Sequence, residues 1–146
     1  KLCMSLAEKI KKNFSKIDVI LSPAMGGIVI GYEIGRILKI ETIFAERVNN
    51  SFVLRRDFNI KPKTNVLIVE DVITTGKSSL EVSKLVEKSN ANIVGYACII
   101  DRSNNESKID INIVSQIELQ ILSYEEKDIP QELSKIKAVK PGSRHL

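Results

Sequence analysis

The sequence predicts an α/β fold, a mainly parallel twisted sheet flanked by helices. Short aliphatic runs alternate with segments of helical spacing along most of the chain. The central stretch from Val66 to Ile100 reads as strand, helix, strand, a βαβ unit of ordinary length. A chain of 146 residues, 43% hydrophobic and 27% charged, suits one hydrophobic core and excludes long disorder and a second catalytic domain. One domain over residues 1–146 is therefore expected.

The elements follow in order. Leu2, Leu6, Ile10 and Phe14 recur four apart with Lys and Glu between them, the stripe of an amphipathic helix. Asp18 to Ser22 is a β-branched strand, broken by Pro23 and by Gly26 and Gly27, after which Ile28 to Leu38 reads as a largely buried helix. Thr42 to Ala45 is a second strand. Val48 to Asn59 mixes Asn, Ser and Arg with isolated apolar residues around Asn49-Asn50, the composition of an exposed hairpin or mobile arm. Val66 to Val69 is almost purely aliphatic, as a parallel strand buried on both faces requires. Ser78 to Glu87 has helical spacing and Ile93 to Ile100 is again apolar. Ile111 to Val114 and Ile117 to Leu122 predict two further strands, Pro130 opens a helical turn, and the tail from Lys137 is basic and irregular.

Charge and cysteine usage narrow the function. The 22 basic and 18 acidic residues leave a net +4, which suits an anionic partner. The basic residues are scattered and Trp is absent, so a nucleic-acid stacking platform is not expected, whereas a small anionic ligand fits. Cys3 and Cys98 lie far apart and His145 is the single histidine, so neither a zinc site nor a disulfide framework can be built. No apolar run reaches about 18 residues and no signal-peptide pattern opens the chain, which predicts a cytoplasmic protein without a membrane partner.

The chemistry is concentrated in Val66-Leu67-Ile68-Val69-Glu70-Asp71-Val72-Ile73-Thr74-Thr75-Gly76-Lys77-Ser78-Ser79. An aliphatic strand ends in two adjacent acids, passes through a hydroxyl-rich loop with one glycine, and enters a helix. This places the acids at the carboxyl edge of a parallel sheet, where ligands bind. Backbone N–H groups at the helix start can grip a phosphate, and Gly76 allows close approach. Two acids beside a phosphate cradle would repel a bare phosphate. A ribose phosphate satisfies both, since its hydroxyls donate to Glu70 and Asp71 while the phosphate sits on the loop. An ordinary strand-to-helix turn with a Ser or Thr N-cap fits the same residues. A Walker A loop does not, because its first glycine falls where Asp71 stands.

Val66 to Ser79 resembles the phosphoribosyl pyrophosphate (PRPP) signature of type I phosphoribosyltransferases. Pro23-Ala24-Met25-Gly26-Gly27, Phe44-Ala45-Glu46-Arg47, Leu54-Arg55-Arg56-Asp57-Phe58, Ile100-Asp101-Arg102 and Lys140-Pro141-Gly142-Ser143-Arg144 extend the resemblance to the orotate branch of that family. The resemblance implies a type I phosphoribosyltransferase core that transfers the phosphoribosyl group of PRPP to orotate. It further implies a homodimer and Mg²⁺ carried by PRPP with no direct protein ligand. Ala24, Met25, Gly26 and Gly27 would form the pyrophosphate loop. Glu70, Asp71, Val72, Ile73, Thr74, Thr75, Gly76, Lys77 and Ser78 would hold the rest of PRPP. Arg47, Arg55, Arg56 and Asp71 would assist the chemistry, and Thr74 and Arg102 would meet orotate. A solvated strand-edge residue at Arg47, a solvated pair at Arg55 and Arg56, and a salt-bridge partner of Asp101 or Glu106 at Arg102 are the plainer alternatives.

The resemblance also implies a further hood segment ahead of the first helix, which is expected to be absent from a sequence that opens at Lys1. The expectation is a chain that binds PRPP with Mg²⁺ yet turns over orotate poorly. Many relatives also bear Lys at the place of Arg47 and a histidine in the mobile loop, so positive charge is supplied differently here. A purine or xanthine phosphoribosyltransferase and a PRPP-sensing, nucleic-acid-binding regulator are the competing readings.

Overall fold

The computed structural model of the chain describes residues 1–103, 107–122, 124, 126–137 and 139. In chain order these form α1 (Leu2–Asn13), β1 (Val19–Pro23), α2 (Gly26–Leu38), β2 (Glu41–Val48), β3 (Ser51–Leu54), β4 (Asn65–Ile73), α3 (Lys77–Lys88), β5 (Asn92–Asp101), β6 (Ile113–Glu118), a 3₁₀ turn at Glu126–Asp128 and a short helix α4 (Gln131–Ser134). The strands make one sheet in the order β3-β2-β1-β4-β5-β6. All neighbouring pairs are parallel except β2 with β3. The expected mainly parallel sheet flanked by helices is what forms.

Two apolar layers sandwich the sheet. On one face Leu6, Ala7 and Ile10 of α1 and Ile34 of α2 pack against Ile20, Leu67, Val69 and Ala97. On the other face Val82 and Val86 of α3 meet Leu21, Ile43, Ile68 and Cys98. Consecutive residues of β4 serve opposite layers, which is why Val66 to Val69 had to be aliphatic throughout. Complete burial of an aliphatic side chain of this size stabilises by roughly 1.5–3 kcal/mol, and β4 and β1 supply the densest run of such residues.

The hairpin predicted around Asn49-Asn50 forms, with Val48 paired to Ser51. Both asparagines have positive φ, 47° and 63°, as the tight turn whose twist matches the strands requires. This antiparallel pairing carries β2 three residues past Ala45. The structure corrects one expectation in the C-terminal part. Two strands were predicted over 111–114 and 117–122, but a single strand runs through Ser115 and Gln116. Those residues break the apolar pattern without breaking the ladder, since Ser115 pairs with Cys98 and both carbonyls accept from Lys9 Nζ, at 2.9 and 3.1 Å. Pro130 caps α4 as expected. Of the basic tail, the Lys140 to Arg144 motif lies outside the described residues.

Candidate active site

The chain leaves β1 toward β2 on one side, while β4 leads to β5 on the other, so the crevice between the carboxyl ends of β1 and β4 is the topological switch point of the sheet. Ligands of open α/β sheets bind at such a point. Here Gly26, first residue of α2, meets Asp71 of β4: a Cβ on Gly26 would lie 2.0 Å from Asp71 Oδ2. The missing side chain is what lets the carboxylate sit against the loop. Asp71 Oδ1 accepts from its neighbour Val72 N at 2.9 Å. The Ala24 to Gly27 loop is tied to β2 by Ala24 N donating to Ala45 O at 2.8 Å, and its Ala24–Met25 peptide is cis. No side chain caps the start of α2, so its first N–H groups are open to an anion.

Glu70 leaves β4 on the opposite face, as strand alternation demands. Its Oε2 accepts from Ser79 Oγ of α3. It also lines a cleft of about 80 Å³ with Val72, Thr74, Thr75, Gly76, Lys77 and Ser78. Gly76 takes the left-handed conformation, φ 74°, at the head of α3, which likewise has no side-chain cap. Burial pushes the Glu70 carboxyl above its ordinary range; the Ser79 hydrogen bond opposes this and the Asp71 charge reinforces it. The two acids flank the strand end from opposite sides, so one ligand reaching both must lie across it. All residues assigned to PRPP from Glu70 to Ser78, with the Ala24 to Gly27 loop, share this edge.

The arginines are placed around it. Arg47 turns onto the α3 face, where Nη2 reaches Glu81 at 2.5 Å, Nη1 donates to Asn50 O at 2.7 Å and the guanidinium covers Phe52. Arg55 and Arg56 both fold back onto Glu46, at 3.0 and 2.7 Å, with their side chains still more than half exposed. Hydrogen bonding from Arg56 is the main reason the Glu46 carboxyl sits below its ordinary range, against a smaller effect of burial; the charges of Arg56 and Arg55 add to it. Phe58 packs edge-on against Phe44 at 5.2 Å and anchors this arm. Arg102 follows β5, its N–H donating to Ile73 O at 2.8 Å, which sets it beside Thr74. Its Nε is buried without a hydrogen-bond partner, and among the described residues it makes no ion pair.

Sequence reasoning missed Glu46, Glu81 and Ser79 as site residues. Glu46 had a detectable signal: with the hairpin at Asn49-Asn50, it faces Val53, two residues from Arg55 and three from Arg56. A larger cavity, about 340 Å³, opens beyond the ends of β5 and β6 among Asp101, Ser103, Ile109 and Glu118. Its described lining has two carboxylates and no basic group, so it is unsuited to a phosphate ligand.

A switch-point crevice that joins a glycine loop, two adjacent acids and a Thr-Thr-Gly helix entry defines a phosphoribosyl-binding α/β protein. Residues 1–130 match the family model of the phosphoribosyl transferase domain. Over 147 aligned residues the chain is 42% identical to an orotate phosphoribosyltransferase of Parvibaculum lavamentivorans and 44% identical to one of Bartonella henselae, covering all of this chain and 76% of each relative. It shares its fold with an adenine phosphoribosyltransferase of Thermoanaerobacter pseudethanolicus (TM-score 0.70, 16% identity, 81% of this chain and 78% of that one). It shares it equally with an orotate phosphoribosyltransferase of Aeropyrum pernix (TM-score 0.68, 17% identity, 81% and 70%). The chain belongs to the phosphoribosyltransferase family and, within it, to the orotate phosphoribosyltransferases.

Proposed function

We propose that this chain transfers the phosphoribosyl group of PRPP to orotate, giving orotidine 5′-monophosphate and pyrophosphate in pyrimidine nucleotide synthesis. The observation that carries the reading is the meeting of Gly26 with Asp71 at the switch point, beside the Glu70 cleft. The bond from the anomeric carbon to pyrophosphate breaks as the bond to the base nitrogen forms and that nitrogen's proton passes to solvent, through an oxocarbenium-like transition state that needs no protein nucleophile. Glu70 and Asp71 hold the ribose hydroxyls as the sugar becomes cationic, and the N–H groups of the 74–78 loop, of which Lys77 N donates only a long 3.4 Å bond to Thr75 Oγ1, take the 5′-phosphate. The Ala24 to Gly27 loop, with Arg47, Arg55 and Arg56 around it, receives the leaving pyrophosphate. Thr74 and Arg102 meet the base, the buried unpartnered Nε of Arg102 being suited to a carboxylate.

The reading includes Mg²⁺ carried by the oxygens of PRPP, with water completing its shell and no direct protein ligand. So carried, it would neutralise charge on the departing pyrophosphate. The reading also includes a cytoplasmic homodimer. Val29 and Tyr32 are 70% and 64% exposed on successive turns of α2, apolar surface suited to a second copy. Cys3 and Cys98 are both unpaired thiols, and among the described residues no helix is long and apolar enough to cross a membrane.

Pyrophosphate release from PRPP and Mg²⁺, measured with orotate, uracil, adenine and xanthine in turn, tests the reading. Release with orotate alone supports it. Release with a purine, or nucleic-acid binding in a filter assay without release, replaces it.

A further inference from the structure

Three polar side chains are sunk in an otherwise aliphatic layer beneath α3: Ser79, Ser83 and Tyr96 are 0%, 3% and 2% exposed. Burying them is costly unless every polar atom finds a partner, and the hydrogen count shows how they do. Ser83 Oγ lies 2.8 Å from Ser79 O and 2.6 Å from Tyr96 Oη. A carbonyl only accepts, so the single Ser83 proton goes to Ser79 O, and the Tyr96 hydroxyl must donate to Ser83. The chain of bonds therefore starts in the core at β5 and ends by pinning the backbone of Ser79. The Ser79 hydroxyl is left with one task, donating to Glu70 Oε2.

We propose that Ser79 is a positioning residue for substrate binding, holding one oxygen of the Glu70 carboxylate so that the other is presented to the ribose. This rests on the ribose role given to Glu70 above. A glutamate otherwise spends side-chain entropy when it is ordered by a ligand; one held in advance does not. The hydroxyl also favours the ionised carboxylate that accepts from ribose, against the burial that disfavours it. The titratable groups around Glu70 are Asp71 on its own strand, Cys98 opposite on β5 and Lys77 in the same cleft, with the Arg47–Glu81 pair farther along the α3 face. None of them hydrogen-bonds to Glu70, whereas Ser79 does.

The test uses the full chain, with Ser79→Ala and Ser83→Ala. The Glu70 carboxyl is titrated by side-chain carbon NMR, and PRPP with Mg²⁺ is titrated calorimetrically at pH 8 and pH 6. Ser79→Ala should raise the midpoint of the Glu70 titration and weaken PRPP by roughly two- to tenfold at pH 8. The ratio of variant to parent should grow at pH 6, where the ionisation of PRPP itself cancels. Ser83→Ala leaves the Ser79 hydroxyl in place but removes the hydroxyl that pins its carbonyl, so it should move both readouts in the same direction by less. Should Ser79→Ala fail to fold, Ser83→Ala decides. A Glu70 midpoint and PRPP affinity equal to the parent's in the folded variant would overturn the proposal. A parent that binds no PRPP would instead sink the ribose reading, and the Glu70 titration would still report whether Ser79 holds that carboxylate.

Discussion

Gly26→Ala should cripple PRPP binding while leaving the fold intact. The new methyl would stand 2.0 Å from Asp71 Oδ2, 2.5 Å from Cγ and 2.9 Å from Oδ1, whereas real contacts of this kind stay beyond 3.0 Å. The nearest oxygen must therefore retreat by about 1 Å, the difference between 3.0 and 2.0 Å. What yields is the end of one side chain, and alanine is intrinsically the better helix former by about 1 kcal/mol. Folding stability should accordingly stay within about 1 kcal/mol of the parent. The carboxylate, however, leaves the position from which it accepts a ribose hydroxyl, a charge-assisted hydrogen bond worth roughly 1.5–3 kcal/mol. Affinity for PRPP with Mg²⁺, measured by calorimetry, should fall on the order of ten- to a hundredfold. Asp71→Asn should do the same, and Gly26→Ala added to Asp71→Asn should cost little more, since both act through one carboxylate. Parental affinity in Gly26→Ala, or full additivity in the double variant, would refute the reasoning.

Further outcomes follow from the same geometry. Arg102→Ala should impair orotate use by at least about tenfold and leave PRPP affinity unchanged, with uracil as the control base; equal losses for both ligands would remove Arg102 from the base. Replacing Arg55 and Arg56 together by Ala should lower kcat more than substrate affinity in single-turnover kinetics, because they act on charge that develops as pyrophosphate leaves. Leu67→Ala, at a fully buried position in the layer beneath α1 and α2, should destabilise by about 2–5 kcal/mol in denaturant titration. Glu70 ionises at a higher pH folded than unfolded, so its neutral form favours the fold, a contribution present below the ordinary value of 4.5 and lost as pH rises through the folded value. Glu70→Gln should therefore raise the melting temperature at neutral pH, barely change it below pH 4.5, and weaken PRPP.

The parts legible in the sequence are those with a local signature. The aliphatic run of β4, the Asn49-Asn50 turn and the stripe of α1 each announce themselves within a few residues, and the adjacent acids followed by Thr-Thr-Gly locate the site. Period-two alternation also implies that Glu70 and Asp71 point to opposite faces of the strand. The continuity of β6 was not legible, because a ladder is made by the partner strand and by Lys9, 106 residues away from Ser115. The contacts of Glu46 and Glu81 with the arginines likewise span up to 34 residues and depend on how the hairpin lies against α3. Ser79 reads locally as a helix-start serine; only the burial of Ser83 and Tyr96 around it reveals what its hydroxyl is for.

The central claim is that the switch-point crevice between β1 and β4 holds PRPP and that the end of β5 selects the base. Amide chemical-shift mapping of the chain tests it without depending on turnover. Titration with PRPP and Mg²⁺ is predicted to move Gly26, Gly27 and the amides from Glu70 to Ser79, and subsequent orotate to move Thr74 and Arg102. Shifts that gather instead around the cavity at Ser103, Ile109 and Glu118, with the Gly26 and Asp71 amides unmoved, would contradict the account.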